Sequence, residues 1–182
     1  MIDGDFNMFK GFGKWLRGPT AEDVSLEMIG VVKGTQKLFG GQGDNMLSGE
    51  VGKIVNRAER VLEKEGHTMH PDIKRFLKDG VEALGPLATM RSSEHNGENW
   101  FGPGGNVYLV QKPKPEWKEK FRAAQRRLDG QADQLFDSRF AEKVAAETKG
   151  MDRYERDAYT RQNPSKSALV EQAKMRNPGL GQ

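Results

Sequence analysis

A chain of 182 residues without a single cysteine excludes disulfide scaffolds, thiolate metal centres and thiol catalysis, and its length favours one hydrophobic core. A hydrophobic fraction of 35% beside 30% charged residues lies on the polar side of globular proteins, which points to ordered helices with terminal arms rather than one compact ball. The net charge of +3 is no more than solubility asks of a small domain, so charge alone does not require a nucleic-acid partner.

Residues 1–19 read as an aromatic-basic arm. Phe6, Phe9, Phe12 and Trp15 recur every three or four positions, with Lys10, Lys14 and Arg17 between them. On a helix that spacing gathers the rings on one side, a pattern suited to a partner or, through residues 5–18, to a membrane surface. The interspersed glycines oppose a stable helix in water, and packing across the domain's own core is the plainer alternative. Asp3, Asp5 and the cations interrupt any continuous apolar run, so no signal peptide is expected. No other stretch reaches the ~20 apolar residues of a transmembrane segment. The expected location is the cytoplasm or a particle.

Residues 20–150 read as a mainly helical domain. Thr20 followed by Asp23 resembles a helix cap, and Ala21, Val24, Met28, Val31, Val32, Thr35, Leu38 and Phe39 predict one amphipathic helix up to the break at residues 40–43. A second helix starts near Asn45, places Leu47, Val51, Ile54, Val55, Ala58, Val61 and Leu62 on one face, and stops at Gly66. A third starts at Pro71 and carries Ile73, Phe76, Leu77, Val81, Leu84 and Leu87, with Gly80 and Gly85-Pro86 weakening its later turns. The turn residues Gly102 to Asn106, flanked by Trp100-Phe101 and by Val107 to Val110, predict a small β-hairpin near 99–111 or an ordered loop. After Pro115, Trp117, Phe121, Ala124 and Leu128 form one stripe, and Ala132, Phe136, Phe140 and Val144 another beyond a phase change at Gly130. Two helical pieces or one kinked helix are expected there. Residues 151–182 are poor in apolar side chains and predict a polar arm with one or two short helices. The fold class is mainly α: a bundle-like core of amphipathic helices, a small hairpin or ordered loop inserted, and extended terminal arms.

Four constellations bear on function. His67, His70 and His95 are the only imidazoles, and with Asp72, Glu94 or Glu98 they are candidate ligands for Zn²⁺, Mn²⁺ or Fe²⁺. Their spacing is not that of a zincin pair, because His70-Pro71 marks a helix start, and the alternative is a cap at His70. The glycine-rich loop lacks the strand, helix and Lys-Ser/Thr that a phosphate loop needs. In the basic run, Lys112, Lys114, Lys118, Lys120, Arg122, Arg126 and Arg127 face only Glu116 and Glu119, a local excess above the net charge of the whole chain. These are candidate contacts to nucleic acid or an acidic partner, unless Trp117 and Phe121 belong to the core and the cations form a solvated face. Finally, the two arms suit contacts laid across neighbouring subunits, with Phe6, Phe9, Phe12, Trp15, Trp100 and Phe101 as candidate partner-binding residues.

Together these features favour a structural or interaction protein, a component of a larger assembly such as a viral or phage particle. Its expected partner is a protein or a second copy, with nucleic acid and a membrane surface as alternatives, and no cofactor is specified. A non-enzymatic role is favoured. The alternative enzyme is a small metal-dependent hydrolase or effector using the histidine region, and a membrane-active or nucleic-acid-binding protein is a third reading.

Overall fold

The start expected at Thr20 is the start of the first described helix. A computed structural model describes residues 18–33, 48–101, 107–147, 149–155, 158, 169, 170, 173 and 176, with the backbone alone for 95–101 and 107–112. In it α1 spans Ala21–Val32. The Thr20 hydroxyl accepts from the Asp23 backbone N–H at 3.2 Å, and the Asp23 carboxylate accepts from the Thr20 N–H at 3.3 Å. This reciprocal box satisfies two donors that the first turn would otherwise leave open.

The amphipathic character expected of α1 is corrected by its surroundings. Nine of its twelve residues are buried, because it packs at once against the helices Ser48–Glu65, Pro71–Thr89 and Pro115–Arg139. A helix covered on most sides must be apolar on most sides, and between Val24 and Val32 its only charge, Glu27, pairs with Arg57 at 2.7 Å. The Lys33 N–H closes its last turn on Ile29 O at 2.9 Å. Thr35, Leu38, Phe39, the glycine break at 40–43, Asn45 and Leu47 lie outside the described residues.

Helix α2, Ser48–Glu65, buries Val51, Ile54, Val55, Ala58 and Val61, the face its spacing predicts. It stops at Glu65, and the residue that follows must be a glycine, since a Cβ at Gly66 would stand 2.2 Å from Leu62 O. The Lys74 ammonium then donates to Gly66 O at 2.6 Å and ties the turn to the next helix. Helix α3, Pro71–Thr89, buries Ile73, Phe76, Leu77, Gly80, Leu84 and Leu87. It continues through Pro86 to Thr89: the ring is exposed, and Gly85 lacks the Cβ that a proline ring disfavours in a preceding helical residue. Gly80 is where α1 comes closest, and Met28 occupies the space a side chain would need.

Strands β1, Ser93–Phe101, and β2, Val107–Pro113, form an antiparallel hairpin, longer than the expected 99–111. Its register is irregular between His95 and Asn99. The predicted turn at 102–106 lies outside the described residues. At its base Lys114 N–H donates to Ser92 O at 2.9 Å. The buried Ser92 hydroxyl accepts from Ser48 N–H at 2.8 Å, so the hairpin stem caps the start of α2.

Helix α4 runs unbroken over Pro115–Arg139, and α5 follows over Ala141–Glu147. The expected interruption at Gly130 is corrected to Phe140. Ala124, Leu128, Ala132 and Phe136 keep one buried stripe through that point while Gly130 is exposed on another side. One unconstrained glycine costs only about 1 kcal/mol of helix propensity, less than the stripe holds. Helices α3 and α4 run antiparallel, as the contacts Asp79 to Gln131 at 2.9 Å and Glu82 to Arg127 at 3.0 Å require.

Among the described residues the core joins α1 to α5 and takes three residues from the C-terminal stretch. Leu169, Val170 and Ala173 are fully buried, so part of the expected polar arm lies across the chain's own core. Among the described residues the fold is thus mainly α, with a small hairpin inserted. No described helix is long and apolar enough to cross a membrane.

Candidate protein-interaction surface

Helix α4 displays most of the charge that the sequence singles out, and its first turn explains how it is aimed. Trp117 is buried, its indole N–H donating to Leu87 O at 3.1 Å. Leu87 lies in the last turn of α3, where carbonyls lack helical partners, so the bond both satisfies a buried acceptor and fixes the rotation of α4. Phe121 stacks on Trp117 with ring centroids 5.2 Å apart and planes 7° from parallel. The two rings belong to the core side of the helix and not to a surface on which bases could stack.

The seven cations of the basic run then separate. Lys112 lies on β2 opposite Glu94, and Lys114 is half-buried at the junction with α4. Lys118 is half-buried. Lys120 pairs with Glu116 at 2.9 Å, and its hydrogen bond and charge hold the Glu116 carboxyl below the usual glutamate value. Arg127 pairs with Glu82 at 3.0 Å. Arg122 and Arg126 are exposed, one turn apart, and neither meets a carboxylate among the described residues.

The other half of α4 carries a feature that the sequence reading missed. Asp129, Asp133 and Asp137 repeat every four residues, and two distant cations clamp them. Lys33, just past α1, reaches Asp129 at 2.6 Å and Asp133 at 2.5 Å. Arg176, from the C-terminal stretch, bridges Asp133 and Asp137 and lies 6.0 Å above the Phe136 ring. Burial alone would lower the Lys33 pKa, but its hydrogen bonds to Asp129 and Asp133 raise it. Burial likewise pushes Asp133 up, and its hydrogen bonds to Lys33 and Arg176 bring it below the ordinary value. The Asp133 hydrogen bond raises Arg176 in turn. The repeat of three aspartates was the available signal; its cationic partners are too far away in sequence to be inferred.

Nearby, Gln125 donates its side-chain amide to Val31 O at 3.1 Å and Val32 O at 3.2 Å. At the other end of α1, Glu65 accepts from Ala21 N–H at 3.4 Å. Side chains from α2 and α4 therefore close both ends of the central helix.

The histidines are placed separately. His67 is exposed in the turn after α2. His70 caps α3, its Nδ1 accepting from Asp72 N–H at 3.3 Å, the structural role weighed against a ligand role. His95 lies on β1 opposite Gln111. Among the described residues no group of three or more His, Asp or Glu side chains is arranged to hold a metal ion. His70 also lines an open cleft of about 520 Å³ with Thr20, Glu65, Thr68, Met69 and Arg139. There the Thr68 hydroxyl donates to Glu65 backbone O at 3.2 Å rather than to the imidazole.

Of the aromatic candidates, Trp100 and Phe101 sit at the far end of β1 opposite Tyr108 and Val107. Phe6, Phe9, Phe12 and Trp15 lie outside the described residues. No family model, curated protein or solved structure matches the chain.

Proposed function

We propose that this chain is a structural or interaction protein, a component of a larger assembly, which engages an acidic protein surface through the Arg122 and Arg126 side of α4. One observation carries the reading: these two guanidinium groups stand exposed and without a carboxylate among the described residues, while Lys120 and Arg127 beside them are paired. A guanidinium binds carboxylates through two parallel N–H donors and is weakly hydrated, which makes arginine a frequent anchor at protein interfaces. A single-stranded nucleic acid would need exposed rings beside those cations. On this helix Trp117 and Phe136 are buried and Phe121 is half-buried against the core, and that favours a protein partner.

The test is the double variant Arg122→Glu/Arg126→Glu, expressed in the source cells beside the unchanged chain. Circular dichroism should be the same for both, because neither arginine holds the fold. The native mass in a cell extract, followed by size exclusion, should fall for the variant. Migration of the variant in the same complex as the unchanged chain would refute the reading.

A further inference from the structure

The two strands of the hairpin have unlike outer edges. The sheet has only the order β1-β2, so among the described residues each strand is paired on one side and leaves backbone donors and acceptors on the other. Neither strand lies along a described helix, and the stem is held at its base through Ser92. On β1 the edge is broken. Between His95, opposite Gln111, and Asn99, opposite Leu109, the three residues Asn96, Gly97 and Glu98 stand against Val110 alone. A bulge carrying a glycine and a charge is one way in which natural sheets keep an edge from pairing. From Val107 to Lys112, β2 carries no such interruption. Its run Val-Tyr-Leu-Val-Gln-Lys holds no glycine, no proline and a single charge, the composition that pairs most readily with another strand. A hairpin of two strands is marginal by itself in water, and further strands are what stabilise it.

We infer that β2 pairs antiparallel with β2 of a second copy of this chain, joining two hairpins into one sheet of order β1-β2-β2-β1 about a two-fold axis at Val110. Hydrogen-bonded and non-hydrogen-bonded positions alternate along an antiparallel pair, so a two-fold axis has to pass through a residue that faces its own copy. Val110 is the middle residue of Val107–Pro113, and an axis there gives every residue of β2 a partner. Leu109 then stands opposite Gln111, and Tyr108 opposite Lys112. Val107 stands opposite Pro113, which has no N–H to donate and ends the ladder. An axis at Lys112 would instead set two like charges face to face, a destabilising pair. The helices of each copy join the hairpin at its base. In this register the two bases lie about 20 Å apart along the strands, at opposite ends of the sheet, so the helical bodies are kept from colliding. The pairing uses none of the α4 arginines and adds a second contact to the interaction role proposed above.

The experiment measures solution mass by light scattering for the full chain and for Val110→Lys and Val110→Glu, each alone and mixed in equal amounts. The mass of the unchanged chain should climb with concentration toward twice that of the monomer, in high salt as in low, because backbone hydrogen bonds hold the pair. Each variant alone should keep the monomer mass, since like charges then face each other on the axis. Their mixture should recover the doubled mass, which misfolding of either variant could not produce. Because the chain has no cysteine, a single introduced thiol reads the register. Val110→Cys should give a covalent dimer under mild oxidation, as directly opposite Cα atoms at about 4.5–5.5 Å suit a disulfide. Val107→Cys, whose two copies would lie about 20 Å apart, should not. Arg122→Glu/Arg126→Glu should leave the dimer unchanged, which separates this inference from the role of α4. An unchanged chain of monomer mass at every concentration, variants that double alone, a mixture that stays monomeric, or a crosslink at 107 in place of 110 would overturn it. A monomeric chain whose Val110→Lys variant drops out of the cellular complex would assign the β2 edge to a strand of a different protein.

Discussion

Replacing Gly80 with alanine tests the closest helix contact in the core. In an open helical position the change gains up to about 1 kcal/mol, because glycine is the poorer helix former. At Gly80 the added Cβ would lie 2.0 Å from Met28 Sδ and 2.8 Å from Met28 Cε. Met28 is fully buried, so the thioether can move only by displacing other core atoms, and overpacking of this kind costs about 1–3 kcal/mol. The overpacking term should win, leaving Gly80→Ala net destabilised by about 1–2 kcal/mol. The sign should reverse in a Met28→Ala background, where the extra methyl fills part of the space left by the thioether. Urea unfolding followed by far-ultraviolet circular dichroism gives all four corners of the cycle. Gly49→Ala, with nothing within 4 Å of its Cβ, is the control and should be neutral or stabilising. If Gly80→Ala raises the midpoint in the unchanged background, or shifts it equally with and without Met28, the steric argument is wrong.

Two further outcomes follow from bonds that join distant parts of the chain. Ser92→Ala removes the buried acceptor of Ser48 N–H and should cost about 1–2 kcal/mol in the same unfolding assay, with faster amide exchange in the first turn of α2. Asp133 titrates below its ordinary value in the folded chain. Its contribution is therefore complete above about pH 3.9, the unfolded value, and is lost as pH falls through the lower folded value. Asp133→Asn should lower stability at neutral pH and flatten the acid limb of the stability curve below about pH 4. An acid limb as steep as that of the unchanged chain would refute this account of the Lys33 and Arg176 clamp.

What could be read from the sequence was local chemistry. Thr20 with Asp23, Pro71 at a helix start and Gly66 at a helix end each act within a turn, and each appears in the structure as expected. The faces of α2 and α3 were equally legible, because apolar spacing records which side of a helix is covered. It does not record how many sides are covered, so α1 reads as an amphipathic helix with one buried face though Val24 to Val32 holds a single charge. Gly130 misled for a related reason: a glycine signals weakness in isolation, but the buried stripe on another side of the helix decides. On α4 the positions of the cations were visible, whereas their pairing was not, since Glu82 and Arg127 come together only through the α3–α4 packing. The Lys33 and Arg176 clamps join residues separated by 96 and 39 positions or more, and no short-range pattern encodes such a meeting.

The closure of α1 by its neighbours has a consequence for synthesis. The ribosome releases this helix before α4, and the amide of Gln125 that covers its last carbonyls lies 93 residues beyond Val32. At about 5–20 residues per second, the most apolar helix of the described fold waits for several seconds to some twenty seconds before α4 has emerged. During that interval it has an uncovered flank and open carbonyls, which makes it a segment that a nascent-chain chaperone would hold. The Thr20–Asp23 box at its start and the Lys33 N–H on Ile29 O at its end are local and need no later residue.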